Sequence, residues 1–570
     1  MSKYKKLLLV ILLIAGILRF WKISEVPVSL FGDELDVGYH AYSILKTGRD
    51  YSGNFMPIHF QSLAEWRTPL YLYSAVPTVA LFGISPLGVR LPAAFFGVLG
   101  VWALFLLIKE LTKNELIALV SSVVMAFSPW HIQYSRAAFE VTELLVFLLF
   151  GLYFFLKALK ESRYLWIAAT FLTFTPWIYS TAKLFAPVLL LFLFTVWRKE
   201  LLKFPRKDLV KAAVAGLLIG LPIAYSTLFG GGLQRAGHLS IFTDPTRETE
   251  VGVARQTDAR MRGEMGEGLQ PTAFDKLTHN KVTFWTERIV GNYLQAFSTE
   301  FLFVKGDLNL RHSIDGVGQF YWIEAVTLLM GVILFFTKYK DRRAKLFLAF
   351  WILFGVVPSA ITRDGGRHAT RLILVLPPLV FLISYGIVEG LKLFRRRNAR
   401  MLLASGYMIL FILEFGFYQH NFWIHNPWNA ERWWHAGFKE SILTIKEIDK
   451  DYDRIIISMA GEPAWIFFAG WYEYPPDKWH EGFPFKKQFV EGFGEISFID
   501  KFFFGTPDAD IEIYGLARVI DSRTLYMANA KEIGANLIRE PSRTPEELVL
   551  IKAIAYPSGE PAFYLFSKKP

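Results

Sequence analysis

The chain has 570 residues, of which 53% are hydrophobic, 16% aromatic and 20% charged, with a net charge of +11 and no cysteine. Apolar runs approaching the ~20 residues that cross a ~30 Å hydrocarbon core recur along it, which excludes a soluble globular protein and points to a polytopic membrane protein. The positive charge does not point to nucleic acid, because Lys and Arg gather in short loops between apolar runs; the missing cysteine excludes disulfides, thiolate chemistry and cysteine-ligated metals.

The first apolar run, Leu7–Trp21, follows Lys3, Lys5 and Lys6 in the manner of a signal peptide. No small-residue cleavage site follows it, so it reads as a retained first span with a cytoplasmic N-terminus. Basic loops at Lys109–Lys113, Lys157–Arg163, Arg198–Lys211, Lys338–Lys345 and Lys392–Arg400 are placed on that same side. This orientation predicts eleven spans, near 7–23, 88–108, 115–130, 138–156, 164–180, 182–197, 210–228, 319–337, 346–362, 372–391 and 401–418, and an extracytoplasmic C-terminus. The run PLYLYSAVPTVALFG (69–83) is short and holds two prolines. Counting it as a crossing would put the Lys109 loop outside, so it is predicted to dip in from the outer face or lie along it.

Segments 24–87, 229–318 and 419–570 then lie outside. In the last, RIIISMA (454–460) and AFYLFSK (562–568) read as strands, with EPAWIFFAGWY (462–472) as a helix between strands. The expected architecture is an all-α transmembrane domain over 1–420 followed by a small α/β extracytoplasmic domain over 421–570. In the 229–318 loop, GDLNLRHSIDGVG (306–318) is rich in turn formers, and its Arg311 and His312 are candidates to touch a phosphate or sugar in a lid or acceptor-binding role; a simple surface loop is the plainer alternative.

On this topology polar residues from distant parts of the chain converge at the outer membrane face: Asp33, Glu34, Arg67, His131, Arg136, Glu140, Lys183, Arg363, Asp364, Arg367, His368 and Arg371. Ionisable groups at a bilayer edge are costly unless paired or wet, which makes the set a functional candidate; any single Arg or Lys there also serves simply to anchor a helix end by snorkelling.

Taken in order, FGDELDVGYHAYSILKTG (31–48), WRTPLYLY (66–73), GVRLPAAFFGVLGV (88–101) and SPWHIQYSRAAFE (128–140) resemble the protein O-mannosyltransferase and aminoarabinose transferase branch of the GT-C glycosyltransferases. The resemblance covers roughly residues 1–230 and extends more loosely through RHATRLILVLPPL (367–379) to about 420; the C-terminal segment carries no family motif. It implies a GT-C bundle of about a dozen helices, with external juxtamembrane helices and an active site in the first external loop. The implied activity is transfer of a sugar from a polyprenyl phosphate to an acceptor protein, lipid or glycan at the outer face of the plasma (inner) membrane. No nucleic-acid partner, sugar nucleotide or cofactor is implied.

The resemblance also assigns residues. Asp33 matches the family's catalytic acid, which would accept the proton of a poorly nucleophilic hydroxyl during attack; Glu34 would orient Asp33 or the acceptor. Asp33 also suits an N-cap of a helix over 34–46, and the two roles are compatible. Lys183, in YSTAKLFAP, stands where relatives carry a lysine near the donor phosphate, and Arg367 and Arg371 in DGGRHATR are the next phosphate candidates. Arg136 and Glu140 occupy the place of an Arg followed four residues later by an acid; they would brace the Asp33 loop or the sugar, or form an intrahelical ion pair. His131 and Arg67 complete the acceptor or sugar-binding set. Arg67 matches the basic residue of a Lys-Pro-Pro motif whose first proline is Thr68 here. In aminoarabinose transferases an acid before that residue binds a metal; Trp66 stands there, although Glu65 is adjacent, so no essential metal is expected. His59, His131 and His368 are scattered and lack ligand spacing.

Two other classes stay open at this point. A transporter or lipid flippase would show paired repeats and polar residues near the bilayer midplane; a non-catalytic scaffold would merely display the C-terminal unit.

Overall fold

A computed structural model of the chain describes residues 3–570 apart from 64, 265, 267–268, 509–510 and 512. The N-terminal half is helical: α1 (Lys3–Phe20), α2 (Gly32–Thr47), α3 (Leu70–Phe82), α4 (Pro86–Thr112), α5 (Glu115–Phe127), α6 (Pro129–Ser135), α7 (Val141–Ala158), α8 (Leu165–Ile178), α9 (Ala182–Leu201) and α10 (Arg206–Phe229). After a segment of short helices come α11 (Trp322–Lys338), α12 (Arg342–Gly355), α13 (Leu376–Lys392) and α14 (Arg397–His420).

Each stretch predicted to span falls on one of these helices. Six described helices are long and apolar enough to cross a membrane alone, or seven if α5 and α6 count as one span bent by 61°. The break in the 115–130 stretch has a local cause. Ser128 leaves the helical region (φ −58°, ψ 126°) and accepts a hydrogen bond from His131 N, and Pro129 fills the first turn of α6, where its missing N–H costs nothing. The prolines of the 69–83 run do not prevent a helix either: α3 is 13 residues long with Pro77 inside it, too short to span.

The bundle buries one face of most helices and leaves others apolar all round. Only 11% of the apolar window of α10 and 6% of that of α14 is buried, and Leu218, Leu221, Phe229, Leu402, Ile412 and Leu413 point outward. Uncovered apolar surface on this scale is stable only against lipid, so these helices face the hydrocarbon of a membrane. Inside the bundle, α11 and α13 cross at close quarters: a Cβ on Gly331 would lie 1.9 Å from Leu382 O, and one on Gly386 1.9 Å from Thr327 O. Small residues are what allow two membrane helices to approach so nearly.

A two-stranded antiparallel hairpin, β1 (Phe60–Ser62) and β2 (Glu65–Arg67), stands between α2 and α3 with Phe60 opposite Arg67. The C-terminal region carries a seven-stranded mixed sheet. Its strands are β3 (Arg454–Ile457), β4 (Lys486–Val490), β5 (Gly494–Ile499), β6 (Phe502–Phe504), β7 (Thr524–Asn529), β8 (Leu548–Ala555) and β9 (Pro561–Lys568), in the order β4-β5-β6-β3-β7-β9-β8. β3 runs parallel to β6 and β7, and the remaining pairs are antiparallel. The strands read at 454–460 and 562–568 are β3 and β9, and the helix read at 462–472 is α15 (Ala464–Tyr472). One hydrophobic core unites this sheet, α15, α2 and α3. Leu35 of α2 packs on Gly470 of α15, where a Cβ would sit 2.7 Å from the leucine side chain. The helix carrying Asp33 is therefore packed between the bundle and the C-terminal sheet with α15.

Candidate active site

The helix α2 opens at Gly32, with Phe31 as its extended N-cap (φ −83°, ψ 172°) and no side-chain cap. Asp33 is thus not the cap of a helix over 34–46; it lies inside the first turn, where the helix dipole favours a carboxylate. The two neighbours then part company. Asp33 is exposed. Glu34 is fully buried, and its carboxylate accepts from Arg90 Nε at 2.8 Å, Arg90 Nη2 at 2.8 Å and Ala138 N at 2.8 Å. Arg90 donates its other N–H groups to Ile23, Pro27 and Ser29 carbonyls. A carboxylate saturated in this way cannot contact an acceptor; Glu34 fixes the position of α2.

Arg67 is the second anchor. Its Nη1 donates to Asp36 Oδ2 at 2.9 Å and to the Asp33 carbonyl at 3.1 Å, and its Nη2 donates to Glu140 Oε1. Asp36 also accepts from Tyr51 at 2.8 Å and Ser62 at 2.6 Å. Burial works against the Arg67 charge, but Glu140, Asp36 and Asp33 outweigh it and hold its pKa well above the usual value. Arg67 and Glu140 are therefore engaged with each other beneath Asp33 and offer no open face to a sugar. Asp36 was not singled out in the sequence; its spacing from Asp33, one helical turn, was the available signal.

Arg136 and Glu140 do not share a helix, because α6 ends at Ser135 and α7 begins at Val141. The intrahelical pair is excluded and Glu140 turns to Arg67. Arg136 instead donates to the carbonyls of Leu18, Arg19, Lys22 and Val26 at 2.9–3.3 Å, satisfying the C-terminal end of α1 and the turn beyond it. His131 is wholly buried, with Arg19 Nη2 2.6 Å from its Nδ1. Arg136 is read from the sequence as a brace for the Asp33 loop or the sugar and His131 as an acceptor- or sugar-binding residue; in the structure Arg136 holds the end of α1 and His131 lies against Arg19.

Lys183 and Arg371 do meet. They line one cavity of about 400 Å³ together with Tyr179, Ser180, Thr362 and an apolar wall that includes Leu184, Leu233 and Ile361. Lys183 Nζ lies 2.9 Å from His59 Nε2 and donates to Gly232 O at 3.2 Å. His59 Nδ1 is 2.7 Å from Ser226 Oγ. Burial, and then Lys183, hold the His59 imidazole down at about 3, so it is neutral and accepts from the lysine. Gly232 permits this approach: a Cβ there would be 2.8 Å from His59 Nε2. Arg371 is braced by Thr362 Oγ1 at 2.8 Å and by Asp364. Arg367 is not part of this wall; its Nη2 pairs with Glu300 at 2.7 Å. Asp33 is not among the residues lining the cavity, but its segment is laced to it, through His59 and through Thr68 Oγ1, which donates to Ile178 O at 2.7 Å.

Two further apolar cavities continue from Lys183. One of about 320 Å³ between α8, α9 and α10 shares Lys183, Thr227 and Leu228 with the first. Another of about 220 Å³ shares Leu172 and Leu190 with the second and reaches Leu201 and Leu209. The three cavities share lining residues in succession, from Lys183 at the start of α9 to Leu201 at its end.

The loop over 306–318 is neither a free lid nor a plain surface loop. His312, Ser313, Ile314 and Val317 are buried, Gln133 Nε2 donates to Arg311 O at 2.8 Å, and the Arg311 guanidinium lies 5.0 Å above the Phe31 ring. His59 and His131 stay apart, but His368 meets His312, with ring centroids 5.0 Å apart. Trp66 packs its indole over Gly231 and presents no ligand atom to a cation.

Residues 67–225 match the model of the dolichyl-phosphate-mannose-protein mannosyltransferase family, so the mannosyltransferase-like resemblance holds over that stretch. No curated protein matches the chain. Among solved structures it is similar to the ArnT of Cupriavidus metallidurans bound to undecaprenyl phosphate, at 11% identity over 99% of this chain and 97% of that one, with a TM-score of 0.49. It is also similar to the Archaeoglobus fulgidus oligosaccharyltransferase tethered with an acceptor peptide, at 14% identity over 82% of this chain, with a TM-score of 0.48; the alignment spans 63% of that enzyme's length. The Saccharomyces cerevisiae Pmt1-Pmt2 protein O-mannosyltransferase bound to its sugar donor matches 40% of this chain and 33% of its own at 19% identity, with a TM-score of 0.31.

Proposed function

We propose that the chain is an integral-membrane glycosyltransferase that takes a sugar from a polyprenyl phosphate and attaches it to an acceptor hydroxyl at the outer membrane face, inverting the anomeric centre. The observation that carries this reading is the position of Lys183, which with Arg371 sets cationic groups in a mostly apolar cavity and also lines the apolar cavity between α8, α9 and α10. A ligand with an anionic head and a long hydrocarbon tail fits that arrangement. As the glycosidic bond breaks, negative charge grows on the phosphate, and fixed cations in a low-dielectric wall stabilise it.

In this reading the acceptor oxygen attacks the anomeric carbon, Asp33 accepts its proton, and polyprenyl phosphate departs with the bonding electron pair against Lys183 and Arg371. Glu34, Arg67 and Glu140 hold Asp33 in place without touching substrate, and His59 holds Lys183. The N-terminus is cytoplasmic and the domain over 421–570 is extracytoplasmic, seated on α2 beside the acceptor's approach. The test is a transfer assay with purified protein in nanodiscs, a panel of labelled polyprenyl-phosphate hexoses and nucleotide sugars, and a crude acceptor extract. Acceptor-dependent release of polyprenyl phosphate is expected. Transfer from a nucleotide sugar instead, or from no lipid donor in the panel, removes the proposal.

A further inference from the structure

The first external loop does not hold all the chemistry at this face. Asp307, His312 and His368 each bring one potential ligand atom within 4.8 Å of the others. The first two lie in the loop before α11 and the third in the segment before α13. Asp307 and His312 are oriented by further hydrogen bonds. Asp307 Oδ1 accepts from Asn309 N at 2.9 Å, and Oδ2 accepts from Ala369 N at 2.9 Å. His312 Nδ1 lies 3.2 Å from Thr370 Oγ1, which in turn lies 2.7 Å from Tyr134 Oη. A histidine engaged at Nδ1 coordinates through Nε2, and metal-binding histidines and carboxylates characteristically have their remaining atoms tied down in this way.

We propose that Asp307, His312 and His368 form a binding site for a divalent transition-metal ion of the zinc class, stapling the loop over 306–318 to the segment that carries Arg371. Two imidazoles and one carboxylate are a borderline-soft donor set suited to zinc or cobalt rather than to magnesium or calcium. Bonds of about 2.0–2.1 Å put tetrahedral ligand atoms roughly 3.4 Å apart, so side-chain rotations closing the triad by about 1.4 Å or less complete it. The proposal does not depend on the transferase reading.

The experiment uses tag-free, chelator-treated full-length protein in detergent micelles. Titration with Zn²⁺ by calorimetry is expected to show one ion per chain, and Co²⁺ is expected to give the visible bands of a low-coordinate nitrogen–oxygen site. His312→Ala, His368→Ala and Asp307→Asn each weaken Zn²⁺ binding by on the order of 100-fold, and Thr370→Val by roughly 10-fold. Absence of saturable Zn²⁺ binding to the wild-type protein, an octahedral or absent Co²⁺ spectrum, or equal binding by folded variants overturns the site. Should the variants fail to fold, the wild-type stoichiometry and Co²⁺ spectrum decide it alone.

Discussion

Two groups of charge are treated in opposite ways. At the start of α2 the acids other than Asp33 are engaged: Glu34 by Arg90 and Ala138, and Asp36, with Glu140 beside it, by Arg67, while Asp33 is exposed. Around the N-terminus of α9 the cations are braced but still border a void, Lys183 by a neutral histidine and Arg371 by a threonine and an aspartate. A buried ion pair costs desolvation that only saturated geometry offsets, so the first arrangement fixes position. A cation backed by neutral or surface partners keeps its field available, so the second arrangement can hold an anion. The contrast separates residues that position from residues that meet a substrate.

The largest effect expected is on chemistry. Asp33→Asn should slow transfer by roughly 10²–10⁴-fold while leaving the melting temperature unchanged, because the side chain is exposed; a folded variant with full turnover would merge the two groups and break the contrast. Next is Glu34→Ala, which strands a buried guanidinium. It should cost about 3–5 kcal/mol of stability, read by thermal unfolding in micelles. The double change Glu34→Leu with Arg90→Met should recover most of that loss, and unchanged melting of the single variant would show that the pair is not an anchor. Lys183→Ala should raise the donor concentration for half-saturation by roughly 10–100-fold, the equivalent of a charged hydrogen bond, with little change in melting; a kcat effect alone would argue that the lysine contacts only the transition state.

The smallest effect is a pH dependence. His59 is held at about 3 in the fold against an ordinary value of 6.5, so between those values the unfolded chain binds more protons than the folded one. Its contribution is therefore complete above pH 6.5 and is lost progressively as the pH falls toward 3. His59→Gln should flatten the melting temperature over pH 7 to 5; an unchanged slope would mean that the imidazole does not hold Lys183 in the way described.

The places of the helices were legible because the signals are local. Apolar length and loop charge put helices where eleven spans were read, and alternation of side chains put β3 and β9 where two strands were read. The bend between α5 and α6 was missed although Ser128-Pro129 marks it, since a continuous apolar run hides a cap. At the candidate site, residue type names the chemistry of a side chain but not whether it is open or engaged. Arg136, His131 and Arg367 have the chemistry of ligands for sugar or phosphate, yet each is spent on a carbonyl, an arginine or a glutamate inside the fold.

The sequence by itself determined that this chain is a membrane protein and where its helices fall, because hydrophobicity and charge belong to residues and their immediate neighbours. Only the tertiary structure decided that Glu34 is buried while Asp33 is open, that Arg67 bridges Asp36 and Glu140, that the C-terminal sheet with α15 packs on α2, and that Asp307 and His312 meet His368. Those outcomes depend on which face of each helix meets which partner from a distant segment, and a one-dimensional pattern does not encode the rotation of a helix against neighbours it has yet to find.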